Sequence, residues 1–272
     1  MSLGLVVVTG GGSGIGAATV AQLRHADYDV LATGRRADSL QRVALETGCE
    51  TFAGDIAKMV DNERLRERVE ASPTPLVGLV NAAGVNYDGT VGEATLEEWN
   101  ETIAVNLTGA FDVTRQLLPA LRSNAGSIVM VASVAADRAP NGAAAYAVSK
   151  AGMAMLGYVL AVEEGRGEHP VRCNVVNPGW TRTEMADREM GAFAAATGQD
   201  VESAYRELSR LVPLGRPALA AEVAQVIVWL LGADASYVNG ATVSVDGGHR
   251  LVDAGTVPFD FTVQPRSTVE PT

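Results

Sequence analysis

The chain is poor in the residues that build metal centres, disulfide frameworks and polyanion-binding surfaces. It has two cysteines in 272 residues, Cys49 and Cys173. That usage makes no disulfide framework, and a reducing, cytoplasmic compartment is the default expectation. Cys173 lies in the apolar run Val171-Arg172-Cys173-Asn174-Val175-Val176, where a packed thiol is expected rather than a nucleophile. The three histidines, His25, His169 and His249, are scattered without metal-site spacing, so no metal is expected. Cations are short: 21 Lys and Arg stand against 32 Asp and Glu, a net charge of −11. Binding to nucleic acid needs clustered Lys and Arg, so nucleic acid is not expected as a partner. No uncharged apolar run of about 18 residues occurs, and no membrane span is expected. Met1-Ser2-Leu3-Gly4 leads straight into an apolar run with neither basic n-region nor cleavage site, so no signal peptide is expected. Internal repeats and low-complexity segments are also missing.

What the chain does have is an alternation. With 47% hydrophobic residues it can fill a large core, and its length suits one α/β domain. The runs Leu5–Thr9, Val30–Thr33, Leu76–Val80, Ser127–Ser133, Val171–Asn177 and Ala241–Val245 read as strands, with Glu50–Gly54 as a further candidate. Between them Ile15–Ala26, Ala37–Thr47, Asp61–Ala71, Leu96–Arg122, Ala143–Glu164 and Ala221–Leu231 read as helices. Thr95-x-x-Glu98 supplies a capping box for the long fourth helix. Such βα alternation predicts a single doubly wound parallel sheet with helices on both faces. The segment Thr181–Pro217 interrupts the pattern, and long excursions of this kind are often lids or binding loops. A surface helix pair without a role is the alternative. Residues 1–250 read as one dinucleotide-binding catalytic domain and 251–272 as a tail of low structural signal, in which Pro258-Phe259-Asp260-Phe261 is apolar enough to dock.

Two constellations carry chemistry. After the first strand come Gly10, Gly11, Gly12, Ser13, Gly14, Ile15 and Gly16. A strand, a glycine-rich turn and a helix form a dinucleotide-binding arrangement, in which glycines allow close approach of a diphosphate and helix N–H groups favour its charge. The second constellation is Ser133, Tyr146 and Lys150. Tyr146 and Lys150 stand four apart on a helix and share a face, and Ser133 ends the strand before it. A hydroxyl, a phenol and an ammonium can thus meet, which is the equipment for proton transfer.

T-G-x-x-x-G-I-G at Thr9–Gly16 together with S-x12-Y-x3-K at Ser133–Lys150 resembles the classical short-chain dehydrogenase/reductase family, over roughly residues 3 to 248. The resemblance implies a Rossmann-type fold and an oxidoreductase that interconverts a ketone and a secondary alcohol. It implies that Tyr146 is the acid/base, that Ser133 bonds the carbonyl oxygen, and that Lys150 holds the nicotinamide ribose hydroxyls. It further implies that Asn106 anchors a water in a proton relay. A free phenol titrates near 10. Burial raises that value, and a nearby ammonium or the oxidised nicotinamide lowers it. Lys150 is spaced to do the lowering.

The resemblance also assigns cofactor contacts. Asp55 matches an Asp that meets the adenine amino group, with the Ile56 backbone in support. Asn81-Ala82-Ala83-Gly84 resembles N-N-A-G, with Ala82 in place of the second Asn. Pro178-Gly179 with Thr181 and Thr183 resembles the P-G-x-x-x-T segment that meets the nicotinamide amide. An acidic residue about 20 positions after the glycines would accept from a ribose 2′-hydroxyl. Here Gly34 stands where family members using NAD usually carry Asp, and Arg35 and Arg36 follow. Guanidinium groups pair with phosphate, so NADP is the expected cofactor, with NAD possible. Solvated arginines, or a field weakened by Asp38, are the competing reading.

The expected partner is a small carbonyl or alcohol, met by loops at Val85–Asp88, Val134–Asn141 and Thr181–Leu211. Alternatives are a 3-oxoacyl-thioester (acyl-carrier) reductase, for which Arg138, Arg182 and Arg188 could contribute a basic patch, an NAD-dependent sugar or polyol dehydrogenase, and a non-catalytic nucleotide sensor. The family's usual homotetramers or homodimers, with the fourth and fifth helices at an interface, complete the expectation.

Overall fold

A computed structural model describes residues 2–253. The first strand, β1 (Leu5–Thr9), is buried along its whole length, as in a sheet covered on both faces. Its side chains alternate: Val7 packs with one apolar cluster, Val6 and Val8 with another. The same alternation along β2 (Asp29–Gly34), β3 (Glu50–Ala53), β4 (Leu76–Asn81), β5 (Ser127–Val131), β6 (Arg172–Pro178) and β9 (Thr242–Val245) builds a core in two layers. One layer is closed by α3 (Met59–Glu70), α5 (Ala110–Ser123) and α6 (Ala144–Glu164). The other is closed by α1 (Gly14–His25), α2 (Ala37–Thr47) and α9 (Ala220–Leu231). All the pairings are parallel, in the order β3-β2-β1-β4-β5-β6-β9. This is the doubly wound, Rossmann-type sheet that the alternation predicts. Cys173 is buried in it as a packed thiol, pushed up to about 12 by burial. Helix α6 is long and apolar enough to cross a membrane by length and composition alone. Here it lies on β5 and β6.

Because β2 and β4 flank β1, the strand order reverses there, and ligands bind at such switch points beyond the strands' C-terminal ends. The Thr9 hydroxyl clasps this crevice. It accepts from the amides of Ala82 and Ala83 (3.1 and 3.2 Å) and donates to the Val80 carbonyl (3.4 Å). Gly10, at φ +68°, brings the two loops together: a Cβ there would fall 2.8 Å from Ala83 Cα. Thr9→Val keeps the shape but leaves buried amides unpaired. It is expected to lower stability by about 1–3 kcal/mol, read as a fall in Tm of about 2–4 °C per kcal/mol for chains of this size. Thr9→Ser, which keeps the hydroxyl, should lie close to wild type.

Two boundaries differ from the sequence reading. Strand β5 stops at Val131 rather than Ser133, because the Ser133 hydroxyl accepts from the Ala135 amide (3.1 Å) and starts a one-turn 3-10 helix at Val134–Ala136. The single fourth helix is instead α4 (Leu96–Ile103), a π-helical turn at Ala104–Gly109, and α5. The capping box at its start does form, with Glu98 N donating to Thr95 Oγ1 (3.2 Å) and Thr95 N to Glu98 Oε2 (3.0 Å). The excursion after β6 holds α7 (Glu184–Thr197) and α8 (Val201–Leu208) between two short paired strands, β7 (Thr181–Arg182) and β8 (Ala218–Leu219). Ala186, Met190, Ala194, Ala204 and Tyr205 give this helix pair a small core of its own. Pro258–Phe261 and most of the 251–272 tail lie outside the described residues.

Candidate active site

Helix α6 begins at Ala144, so Tyr146 and Lys150 occupy its first two turns, one above the other. The Lys150 Nζ lies 5.6 Å from the centroid of the Tyr146 ring. Lys150 is buried and donates to the Val131 carbonyl at the end of β5 (2.8 Å). Burial lowers the Lys150 ammonium to about 8. Tyr146 moves the other way. Burial holds its phenol above the usual range, a hydrogen bond from Ser133 works against that, and the charge of Glu189 adds to it. In the protein by itself desolvation dominates, so Tyr146 is protonated at neutral pH, and the expected lowering by Lys150 and the oxidised nicotinamide bears on the cofactor-bound site.

Asn106 sits in the π-helical turn and is fully buried. Its Nδ2 donates to the Val85 carbonyl (2.9 Å) and to Ser149 Oγ (3.0 Å), and its Oδ1 accepts from the Val85 amide (2.8 Å). Ser149 in turn donates to the Tyr146 carbonyl (2.7 Å). One asparagine thus ties the loop after β4 to the helix of Tyr146 and Lys150, and π-helical turns often mark such functional insertions. Gly84 lies where these groups converge, since a Cβ there would be 3.4 Å from both Asn106 Oδ1 and Lys150 Nζ.

At the switch point a cavity of about 510 Å³ opens. Gly10, Gly12 and Ser13 form one wall beside the α1 N-terminus, and Gly34, Arg35 and Arg36 form another. Asp55 and Ile56 line it, as do Gly84 and Val85. Glycine at the turn, a helix N-terminus, two guanidinium groups and an acidic loop residue along one crevice fit a dinucleotide. Other expected contacts stand behind these walls. Gly16 packs beneath Gly10, where a Cβ would strike the Gly10 carbonyl, and Ile15 joins the apolar layer of α1. Gly14 abuts Thr183, whose hydroxyl caps α7 by accepting from the Ala186 amide (3.2 Å). The Gly179 amide donates to Val245 (3.0 Å) and continues the end of β6 at Pro178. Thr181 Oγ1 donates to the Gly179 carbonyl (3.0 Å). Ala82 reaches the crevice through its amide on Thr9.

Asn81 departs from expectation. It points with Leu79 to the α5 side of β4, and its amide donates to Thr114 Oγ1 (3.0 Å) and Met130 Sδ (3.4 Å). It is buried and borders no part of the cavity. The two-residue period of a strand turns it away from the crevice.

Several groups were not legible in sequence. Thr9 and Ser149 are positioning residues that only the hydrogen bonds reveal. Glu184, Met185 and Arg188 of α7 line the cavity, so the excursion after β6 reaches over it. Arg36 pairs with Glu184 (3.0 Å), Arg42 with the same carboxylate (3.4 Å), and Arg35 with Glu101 (3.5 Å). The acidic competitor for the arginines is therefore Glu184, 148 positions from Arg36, rather than the neighbouring Asp38. All these partners are well exposed, and pairs of that kind contribute about 0–1 kcal/mol.

Comparison with known proteins agrees with this geometry. The family model described as "Enoyl-(Acyl carrier protein) reductase" matches residues 10–250. Protein MoaE of Klebsiella aerogenes is 36% identical over 261 residues, covering 94% of this chain and 98% of its own. The 2,3-dihydro-2,3-dihydroxybenzoate dehydrogenase of Escherichia coli (strain K12) is 35% identical over 248 residues, covering 90% and 96%. Among solved structures, a variant actinorhodin polyketide ketoreductase with NADPH superimposes with a TM-score of 0.86 at 29% identity, covering 93% of this chain and 100% of its own. The chain belongs to the classical short-chain dehydrogenase/reductase family, and it is a nicotinamide-dependent oxidoreductase that interconverts a ketone and a secondary alcohol.

Proposed function

We propose that the chain reduces a small ketone with NADPH, using Tyr146 as the acid. The observation that carries this reading is a half-buried, protonated phenol, hydrogen-bonded to Ser133 and set against Lys150, beside a dinucleotide cavity that ends in Arg35 and Arg36. The cofactor when bound supplies the hydride. Gly10, Gly12, Ser13 and the α1 N-terminus would hold its diphosphate, Asp55 and Ile56 its adenine end, and Gly179, Thr181 and Thr183 its amide end. Gly14, Ile15, Gly16, Ala82 and Gly84 serve by shaping the backbone around it. The Ser133 hydroxyl donates to the substrate carbonyl oxygen. Tyr146 Oη gives that oxygen its proton as the alcohol forms. Lys150 holds the ribose hydroxyls and passes a proton back toward Tyr146. The Asn106 side chain is fully engaged with Val85 and Ser149, so any relay water it anchors is held through its main chain.

The direction of the pKa shifts sets the pH dependence. The protonated phenol is fully present below its raised pKa, so reduction keeps its proton donor through neutral pH. Oxidation needs the phenolate, which grows as pH rises. In pH profiles, kcat/KM for alcohol oxidation should rise with pH through the neutral range, as the phenolate fraction grows. Reduction should stay level up to the Lys150 value of about 8 and fall above it, as the ammonium is lost.

NADP preference rests on the two arginines lining the cavity, whose exposed ion pairs are weak enough to exchange for a 2′-phosphate. Arg36→Ala should raise KM for NADPH about tenfold, the loss of one charge-assisted contact, with little change for NADH. Initial rates with both cofactors check this, and a wild type that prefers NADH would sink it. A second reading, oxidation of a diol or polyol with NAD, is favoured by the carboxylates of Glu101 and Glu184 already seated on Arg35 and Arg36. A cytoplasmic homotetramer or homodimer is part of the proposal. It is supported by the exposed apolar side chains Phe111, Val148, Met155, Val159 and Val162 on α5 and α6.

A further inference from the structure

Off the cofactor cavity opens a smaller one of about 130 Å³, lined by Asn86, Asp88, Met185, Arg188, Glu189 and Ala192. It shares Asn86, Met185 and Arg188 with the larger cavity, so the two adjoin. Its floor is a carboxylate–amide pair: Asn86 Nδ2 donates to Glu189 Oε1 (3.0 Å) and also to Asp88 Oδ1 (3.3 Å). Both donors of the amide are thereby directed at carboxylates. Its oxygen, Asn86 Oδ1, is buried with no hydrogen-bond partner. A carboxylate offers about four lone-pair sites, and Asn86 fills one on Glu189. Among the described residues Glu189 makes no ion pair. The cation nearby, Arg188, is exposed at the rim. The small cavity therefore presents carboxylate acceptors, with the Arg188 guanidinium as the donor at its rim.

Its position gives this meaning. Asn86 follows Gly84 by two residues, and Gly84 abuts the Lys150 ammonium that lies against the Tyr146 ring, so the small cavity opens beside the Tyr146–Lys150 pair, and the Glu189 charge acts on the Tyr146 phenol. A half-buried carboxylate is costly unless something donates to it, and burial raises Glu189 from its ordinary value.

We infer that Glu189, oriented by Asn86, is a specificity residue that receives a hydrogen-bond-donating group of the substrate, a hydroxyl or an ammonium, a few bonds from the reacting carbon. The inference rests on the reading of Tyr146 as the acid/base at that carbon. It excludes substrates that carry a carboxylate at the same place, because an anion would meet Glu189 and Asp88 across a cavity with one cation at its rim.

Four secondary alcohols that differ at one position test it: 1,3-butanediol, 4-amino-2-butanol, 2-pentanol and 3-hydroxybutyrate. The wild type should oxidise the diol or the amino alcohol at least about tenfold more efficiently than 2-pentanol, since a site built for a donor discriminates strongly against its absence. It should oxidise 3-hydroxybutyrate least. Glu189→Leu should erase this preference, read as the ratio of kcat/KM for the diol or the amino alcohol to that for 2-pentanol at one pH, while NADPH affinity, read by fluorescence, holds. Glu189→Gln separates the two donors: loss for the amino alcohol with the diol retained means an ammonium substrate, and loss of neither means a hydroxyl. An equal fall for all four alcohols in Glu189→Leu, a preference for 3-hydroxybutyrate, or no turnover of the set by wild type overturns the inference. The oxidoreductase reading itself is judged separately, by Tyr146→Phe over a broad ketone panel.

Discussion

Tyr146→Phe is expected to lower kcat/KM for ketone reduction about 10³-fold, roughly 4 kcal/mol of transition-state stabilisation. The substitution removes one oxygen from a half-buried ring and leaves the ring's place on α6 unchanged. Cofactor affinity should accordingly stay near wild type, within about twofold, while kcat falls. Positioned acids contribute about 10²- to 10⁴-fold, and the upper half of that range is expected here for two reasons. The phenol is hydrogen-bonded to Ser133, and its desolvation limits substitution by bulk water. Stopped-flow turnover with cofactor titration by fluorescence checks both halves. A variant that binds cofactor normally and turns over at the wild-type rate would leave the nucleotide-sensor alternative standing.

Lys150→Met should be nearly as damaging, by a different route. The ammonium is buried, sits against the Tyr146 ring, and donates to the Val131 carbonyl. Met fills its volume without charge. On the proposed reading the ribose loses its anchor and Tyr146 loses its proton supply. Cofactor Kd should rise about tenfold, and kcat should fall a further 10²-fold or so. The split matters: Tyr146→Phe should move kcat alone, whereas Lys150→Met should move kcat and cofactor Kd together. Because the Val131 carbonyl is left without this donor, the variant should also lose about 1 kcal/mol of stability. Thermal unfolding measures that loss apart from the kinetics.

These expectations draw on residues of very different legibility. The glycine turn lies within one strand–turn–helix unit, and Tyr146 and Lys150 share one helix, where a period of 3.6 places their side chains on one face before any tertiary contact exists. Asn106 could be named from its motif, but the π-helical turn it occupies could not be. That turn forms where both polar groups of its amide engage the backbone of Val85, 21 positions earlier. Asn81 matches the first residue of the N-N-A-G segment, yet strand alternation sends its side chain to the α5 side of the sheet.

Chain-local physics thus determined the strands and helices that make the sheet and the helix that pairs Tyr146 with Lys150, while the reaction class was legible through the motifs' resemblance to a known family. Short-range periodicity, capping and the φ freedom of glycine act within a few residues, and all are written in the sequence itself. What only the tertiary structure decided is which distant groups share a cavity: Thr9 with Ala82, Asn106 with Val85, Glu184 with Arg36, and Glu189 with Asn86. The desolvation that lifts Tyr146 and lowers Lys150 belongs to the same set. Burial and contact across 20 to 150 positions arise from packing the whole chain, and no local pattern encodes them.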